Sequence, residues 1–304
     1  MILITGGCGY IGTALSSLLM QKGEEFRILD DLSGCSPLNL LFLNHVEFVW
    51  GDVRKPDDLR QAMEDVDTII HLAAKLPTAP GMVDAVQGDV ESVNYLGTKN
   101  VLEEARKRDA KVLFASTCNV YGVGRNLREN AEAKPLNPYS KSKFKAEKLC
   151  LEYYEKYGLD VTILRLASLY GYSPGVRFNL VVNYFTLRAI LGYNLTVFGK
   201  GENWRPFLHV EDAAKAFLFL MENGRSGEIY NVGGENFRIM EVADIICNIV
   251  NPVEIEFLPD REPEFSYSVD FSKIRELGYK PSYTIQRGVE DLAEKLKVLR
   301  NLRR

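Results

Sequence analysis

The chain has little of what a metal site or a disulfide framework is made from. Its three histidines, His45, His71 and His209, lie far apart, and its five cysteines, Cys8, Cys35, Cys118, Cys150 and Cys247, are an odd number without a closely spaced pair. Neither a zinc site nor a stapled secreted scaffold fits that pattern, so no metal is expected. No apolar run approaches the roughly 18 residues that a membrane span requires. There is no internal repeat and no low-complexity segment. A dominant charge is missing as well: 37 Lys and Arg stand against 41 Asp and Glu, a net −4. Such a balance excludes broad electrostatic binding of nucleic acid. The basic end, Lys295, Lys297, Arg300, Arg303 and Arg304, reads as a solvated helix face. The opening strand starts at once and leaves no room for a signal peptide, so the expectation is a cytoplasmic protein.

What is present begins with the first dozen residues, Met1-Ile2-Leu3-Ile4-Thr5-Gly6-Gly7-Cys8-Gly9-Tyr10-Ile11-Gly12. An apolar run of strand length breaks into glycines at three-residue spacing and then into the apolar Ala14, Leu15, Leu18 and Leu19, which predicts strand, tight turn and helix. Gly6 allows the sharp turn, Gly9 a close approach to a pyrophosphate, and Gly12 close packing of helix on strand. The free N–H groups of the helix start then face an anion. Phe26-Arg27-Ile28-Leu29-Asp30 reads as a second strand ending in a carboxylate, where a dinucleotide site places the group that binds the adenosine ribose. Asp30 and Asp31 together repel a 2′-phosphate, which favours NAD over NADP.

Strands and helices then alternate. Strands are predicted at 46–50, 68–72, 112–116 and 161–165, and helices at 56–63, from about Asp84 to Arg108, and at 139–157. Most of these strands lack polar alternation, the pattern of a parallel sheet covered on both faces. The expected class is α/β: a doubly wound parallel Rossmann sheet over 1–165, then a smaller mixed α/β substrate domain over 166–304, with segments near 205–232 returning to the first domain. In the second half, helices are predicted at 180–191, 211–222, 240–250 and near Phe271 and Ile285, with strands at 195–198, 228–232 and 254–257.

Tyr139-Ser140-Lys141-Ser142-Lys143 places Tyr139 and Lys143 on one helix face. The spacing alone is weak evidence, since Tyr95 and Lys99 share it. What distinguishes Tyr139 is the strand before it, which runs into Ser116-Thr117-Cys118-Asn119 and so delivers hydroxyls to the ligand crevice.

Together these segments resemble the extended short-chain dehydrogenase/reductase superfamily, and within it the NAD-dependent nucleotide-sugar epimerase/dehydratase family. The resemblance covers nearly the whole chain. It implies a cofactor site of Gly6, Gly9, Tyr10, Ile11, Gly12, Asp30, Asp31, Leu32, Asp52, Val53, Leu72, Ala73, Ala74, Asn94, Ser116, Tyr139, Lys143 and Leu166. Thr117, Tyr139 and Lys143 are the implied catalytic set. The nucleotide sugar is implied to meet Thr117, Asn119, Tyr139, Ser168, Asn179, Leu180, Thr196, Val197, Phe198, Arg205 and Arg261. Arg205 belongs to Arg205-Pro206-Phe207-Leu208-His209-Val210-Glu211-Asp212, where the arginine grips a phosphate and His209 and Asp212 are structural. Tyr95 and Lys99 become structural beside Asn94. The family is commonly dimeric through paired helices, here the long helix from Asp84 and the one bearing Tyr139.

In the mechanism so implied, the Lys143 ammonium and the positive nicotinamide lower the Tyr139 pKa from its ordinary value of about 10, so that Tyr139 takes a sugar hydroxyl proton while Thr117 holds the oxygen. The family's 4,6-dehydratases follow the threonine with Asp-Glu and its decarboxylases with Ser-Glu; here Cys118 and Asn119 stand instead. Without those carboxylates the expectation is epimerisation at C4 through a transient ketone. Reduction of a 4-keto-sugar nucleotide by NAD(P)H is the alternative, and a non-catalytic dinucleotide-binding protein a more distant one. Ser168 replaces an asparagine common in relatives. Lys75, after His71-Leu72-Ala73-Ala74, reads as a surface lysine in preference to a cation near the diphosphate, and Cys118 as a packing residue.

Overall fold

A computed structural model describes residues 1–43, 45–76, 89–259 and 266–299. Seven strands form one parallel sheet: β1 (Ile2–Thr5), β2 (Phe26–Asp30), β3 (Glu47–Trp50), β4 (Thr68–His71), β5 (Lys111–Thr117), β7 (Val161–Leu166) and β11 (Ile229–Val232). Their order is β3-β2-β1-β4-β5-β7-β11, so the chain starts at the centre and reverses direction across β1 and β4. That reversal leaves a crevice at the carboxyl ends of the strands, where Thr5 is level with Leu29 and His71.

The apolar strands are buried on both faces by helices. On one side lie α1 (Tyr10–Lys22) and α6 (Val210–Asn223), where Leu15 and Leu19 share a core with Ala213 and Phe217. On the other lie α2 (Pro56–Ala62), α3 (Thr98–Arg108) and α4 (Pro138–Tyr157), with Leu59, Leu102, Ala146 and Leu149 in a second core. The helix predicted from Asp84 differs from this: before α3 runs a π-helical turn, Ser92–Gly97, and residues 84–88 lie outside the described residues.

Three small sheets complete the chain. One has the order β12-β10-β8, from β8 (Ser168–Tyr170), β10 (Trp204–His209) and β12 (Glu235–Arg238); the others pair β13 (Ile255–Leu258) with β9 (Leu195–Phe198) and β14 (Tyr267–Val269) with β6 (Gly124–Leu127). Helices α5 (Val181–Leu191), α7 (Ile239–Ile249) and α9 (Ile285–Lys295) enclose a third core around Phe185, Ile246 and Val289. The short α8 (Ser272–Glu276) follows β14. Among the described residues no helix is long and apolar enough to cross a membrane.

Candidate functional site

The crevice is a single cavity that runs from the glycine turn, past Asp30, to the start of α4. Gly6 sits at φ +72°, and a Cβ there would lie 2.6 Å from the Ala73 nitrogen. A Cβ on Gly12 would collide with the Gly7 carbonyl, so Gly12 closes the turn on its own backbone and does not chiefly seat helix on strand. The Asp30 carboxylate accepts from the N–H of Cys8 at 3.0 Å and of Leu32 at 2.8 Å. Burial raises its pKa, and those two donors oppose the rise. Asp52 is ion-paired with Arg54 at 2.6 Å, which keeps it ionised despite its desolvation.

At the other end, Asn137 and Ser140 cap α4 reciprocally and Pro138 opens it, so Tyr139 stands in the first turn with Lys143 one turn on. Both line the cavity, with Ser116, Thr117 and Asn119 from the end of β5. Thr117 Oγ1 accepts from the Asn119 N–H at 3.2 Å, which leaves its own hydroxyl hydrogen to be donated. Below it Ser116 donates to Glu147, which is held at 2.7 Å by Arg165, itself bonded to Tyr121. This buried network fixes the end of β5 against α4.

Lys143 is 1% exposed, with its ammonium 4.4 Å from the centre of the Phe114 ring. Burial pushes its pKa down to about 8. Burial also pushes Tyr139 up to about 12, and the positive group that pulls it back is Arg177. The chain's own environment thus favours the phenol, and Arg177 is the cation that opposes burial there. His71 is neutral, driven down to about 3 by burial, and bridges Thr5 at 2.6 Å and Thr98 at 3.0 Å.

Of the cofactor residues expected from sequence, sixteen stand on the cavity wall; Leu32 and Asn94 do not. Leu32 shapes the turn, with φ +59° and its N–H on Asp30. Asn94 is buried under the wall. The wide π turn lets its side chain accept from the Lys75 N–H at 2.7 Å and donate to the Lys75 carbonyl and to Ser142 at 3.0 and 2.9 Å. Lys75 itself lines the cavity and is half-buried. Tyr95 instead packs beside the second core.

Of the substrate residues, Thr117, Asn119, Tyr139, Ser168 and Leu180 are on the wall. Among the described residues, Asn179, Thr196, Val197, Phe198 and Arg205 are not. Asn179 accepts from Arg177 Nε at 3.3 Å. Val197 is 0% exposed, because alternate side chains of β9 turn into the third core. Arg205 donates to the Trp204 carbonyl at 2.7 Å and lies 5.5 Å from the centre of the Tyr267 ring, whose hydroxyl meets Asn119. Arg261 lies outside the described residues. His209 caps α6 and stacks on Tyr283 at 3.7 Å, and Asp212 accepts from the N–H groups of Ser282 and Tyr283. Both are structural, as expected.

Arg177 was not found from sequence, because it belongs to no motif. The loop that carries it is stitched to the glycine turn: Tyr10 donates to the Gly171 carbonyl at 2.5 Å, Ser173 to the Tyr10 carbonyl at 3.0 Å, and the Gly175 N–H to Thr13 at 3.1 Å. These tertiary contacts, with Asn183 Nδ2 on the Arg177 carbonyl at 3.0 Å, bring residue 177 to the cavity.

The glycine cradle, the carboxylate at the end of β2 and a hydroxyl-lined crevice at the switch point fit a dinucleotide and define a Rossmann-type nucleotide-dependent enzyme. Residues 2–233 match the NAD dependent epimerase/dehydratase family, and the chain belongs to it. A dTDP-glucose 4,6-dehydratase of Streptomyces niveus is 32% identical, across 96% of this chain and 91% of its own. Two solved structures cover almost all of both chains at 26% identity. The UDP-glucose 4-epimerase of Thermotoga maritima, with UDP-glucose, has a TM-score of 0.88 over 99% of each chain. The UDP-glucuronic acid 4-epimerase of Bacillus cereus, with UDP-glucuronic acid and NAD, has 0.89 over 98% of this chain and 99% of its own.

Proposed function

We propose that the protein is a nucleotide-sugar 4-epimerase of the UDP-glucose 4-epimerase kind, which oxidises the sugar at C4 and reduces it again on the other face. The observation that carries this reading is the wall beside Thr117. Tyr139, Lys143 and a hydroxyl converge there, but the Asn119 side-chain oxygen accepts from the Tyr267 hydroxyl and Cys118 is buried with its thiol donating to the Arg165 carbonyl at 3.1 Å. Neither can supply the acid and base that elimination of water demands.

Gly6, Gly9, Asp30 and Asp31 would hold the pyrophosphate and adenosine of NAD, and Ser116, Tyr139 and Lys143 its nicotinamide end. Bound NAD supplies the hydride acceptor and, when oxidised, a positive charge near the phenol. Thr117 donates a hydrogen bond to the sugar C4 oxygen and orients it. Tyr139 takes the C4 hydroxyl proton on the outward half of the reaction and returns it to the ketone oxygen on the way back. Because burial holds the phenol up near 12, proton removal depends on nearby cations: Arg177 opposes the burial, and Lys143 stands one helical turn on. We assign recognition of the nucleotide and sugar to residues 166–304, with Ser168 and Leu180 on the wall. We also expect a homodimer through the π turn and α4, where Leu96, Tyr154 and Tyr157 are 43%, 40% and 45% exposed.

The test is a panel of UDP-, dTDP-, GDP- and CDP-sugars incubated without added reductant and followed by mass spectrometry and NMR. A product of unchanged mass with inverted C4 is expected. Loss of water or carbon dioxide overturns the reading, as does a reduced product formed only with NADH or NADPH.

A further inference from the structure

A buried tyrosine outside every sequence motif reaches the wall beside Thr117. Asn119 stands on that wall two residues beyond the threonine, and its side-chain amide can meet a ligand either by its oxygen, which accepts, or by its nitrogen, which donates. Tyr267 decides between them. It lies on β14, 148 positions further along the chain, is 1% exposed, and donates its hydroxyl hydrogen to Asn119 Oδ1. With the oxygen so engaged, Nδ2 is the end left for the cavity, and among the described residues it has no partner.

Both partners are held in place. The Asn119 N–H goes to Thr117 Oγ1 at 3.2 Å and its carbonyl accepts from the Gly122 N–H at 3.3 Å, which pins the backbone under the amide. Across from it, β14 is tied down on either side of the tyrosine. Ser266 Oγ accepts from the Trp204 N–H at 3.1 Å, the Val269 N–H donates to Asn236 Oδ1 at 2.9 Å, and the Arg205 guanidinium lies 5.5 Å from the centre of the Tyr267 ring. The polarity of the amide is therefore built into the fold before any ligand arrives.

We propose that Tyr267 is a positioning residue for sugar recognition: it turns Asn119 Nδ2 toward the cavity, where that nitrogen donates to a hydroxyl oxygen of the sugar beside C4. The inference rests on the epimerase reading for one point, that Thr117 holds the C4 oxygen. Thr117 and Asn119 share a short turn through their own hydrogen bond, so the oxygen within reach of Nδ2 is one of the two that flank C4, O3 or O6. Neither oxygen gains charge as C4 passes between alcohol and ketone. The contact therefore holds substrate and transition state alike, and its loss appears in KM and not in kcat.

The experiment measures Kd by calorimetry, and turnover, for the full-length NAD-loaded protein with UDP-glucose, UDP-3-deoxyglucose and UDP-6-deoxyglucose. Tyr267→Phe keeps the ring beside Arg205 and should weaken UDP-glucose about 3- to 10-fold in Kd and KM, with kcat little changed. Asn119→Leu should weaken it at least as much, and adding Tyr267→Phe to Asn119→Leu should cost nothing more. One deoxy analogue should bind the parent correspondingly weakly and be indifferent to Tyr267→Phe, which tells O3 from O6. A Tyr267→Phe effect that persists undiminished in Asn119→Leu, that falls on kcat alone, or that is equal for all three sugars overturns the proposal. Kd is read whether or not C4 is inverted, so a parent that binds UDP-glucose without inverting it defeats the epimerase reading and still measures the contact.

Discussion

Replacing Lys143 with methionine should make the protein more stable and nearly inactive. The side chain is 1% exposed, and burial lowers its pKa from 10.5 to about 8. The difference is 10.5 − 8 = 2.5 units, which at 1.36 kcal/mol each corresponds to about 3 kcal/mol of cost in burying the charged amine. The sign follows from proton binding. Between pH 8 and 10.5 the unfolded chain holds the proton and the folded chain does not, so stability rises with pH across that window. Below pH 8 the whole cost is present. Methionine removes the cost but also the cation–π contact with Phe114, worth up to about 2 kcal/mol when desolvated. A net gain of about 1–2 kcal/mol at pH 7 remains. Guanidinium unfolding of both proteins at pH 7 and pH 10 measures it, and the difference between them isolates residue 143 from the other titrating groups. Turnover should fall by about a hundredfold or more, since the phenolate loses a neighbouring cation. A Lys143→Met protein that is less stable at pH 7, with the same pH slope as the parent, would refute the reasoning.

Other perturbations have equally definite outcomes. Tyr139→Phe should lower turnover by about 10³-fold while NAD still co-purifies, checked by absorbance and by product NMR. Arg177→Met removes the cation that offsets burial at Tyr139, so its pKa moves further up and the ascending limb of the pH–rate profile, where the base must be ionised, shifts to higher pH. Gly6→Ala combines φ +72° with a Cβ 2.6 Å from the Ala73 nitrogen, and dialysis should show NAD lost from that variant first. Glu147→Ala leaves Arg165 buried without its carboxylate and should destabilise the fold by about 3–5 kcal/mol in denaturant titration.

Much of the large sheet was legible because its strands are short apolar runs between glycine and aspartate turns, and because β1, the glycine turn and Asp30 are a local signal. Of the small sheets, β9 and β13 were legible, whereas the strands of the other two were not. Trp204–His209 contains Pro206, which argues against a central strand, yet β10 is the middle strand of its sheet. The exception has a physical cause: Pro206 pairs only with Asn236 of β12, and β8 joins β10 from Phe207 onward, past the missing N–H. Strand β14 has three residues and pairs with β6, remote in sequence, so no periodicity reveals it. At the site, most residues of the glycine turn, the Asp30 turn and the 116–143 segment reached the cavity, whereas Leu32, Asn94, Val197 and Arg205 do not line it. Arg177 and the direction of the Tyr139 shift depend on what surrounds them in space. A sequence gives the phenol's identity but not its burial.

The central claim is that a hydride leaves C4 and comes back to the same carbon while Tyr139 handles only the oxygen proton. A nucleotide sugar deuterated at C4, turned over in ordinary water and examined by NMR, tests it most directly. The account predicts a C4-inverted product that keeps the deuterium at C4. Label lost to solvent, or a product that has lost water, would contradict it.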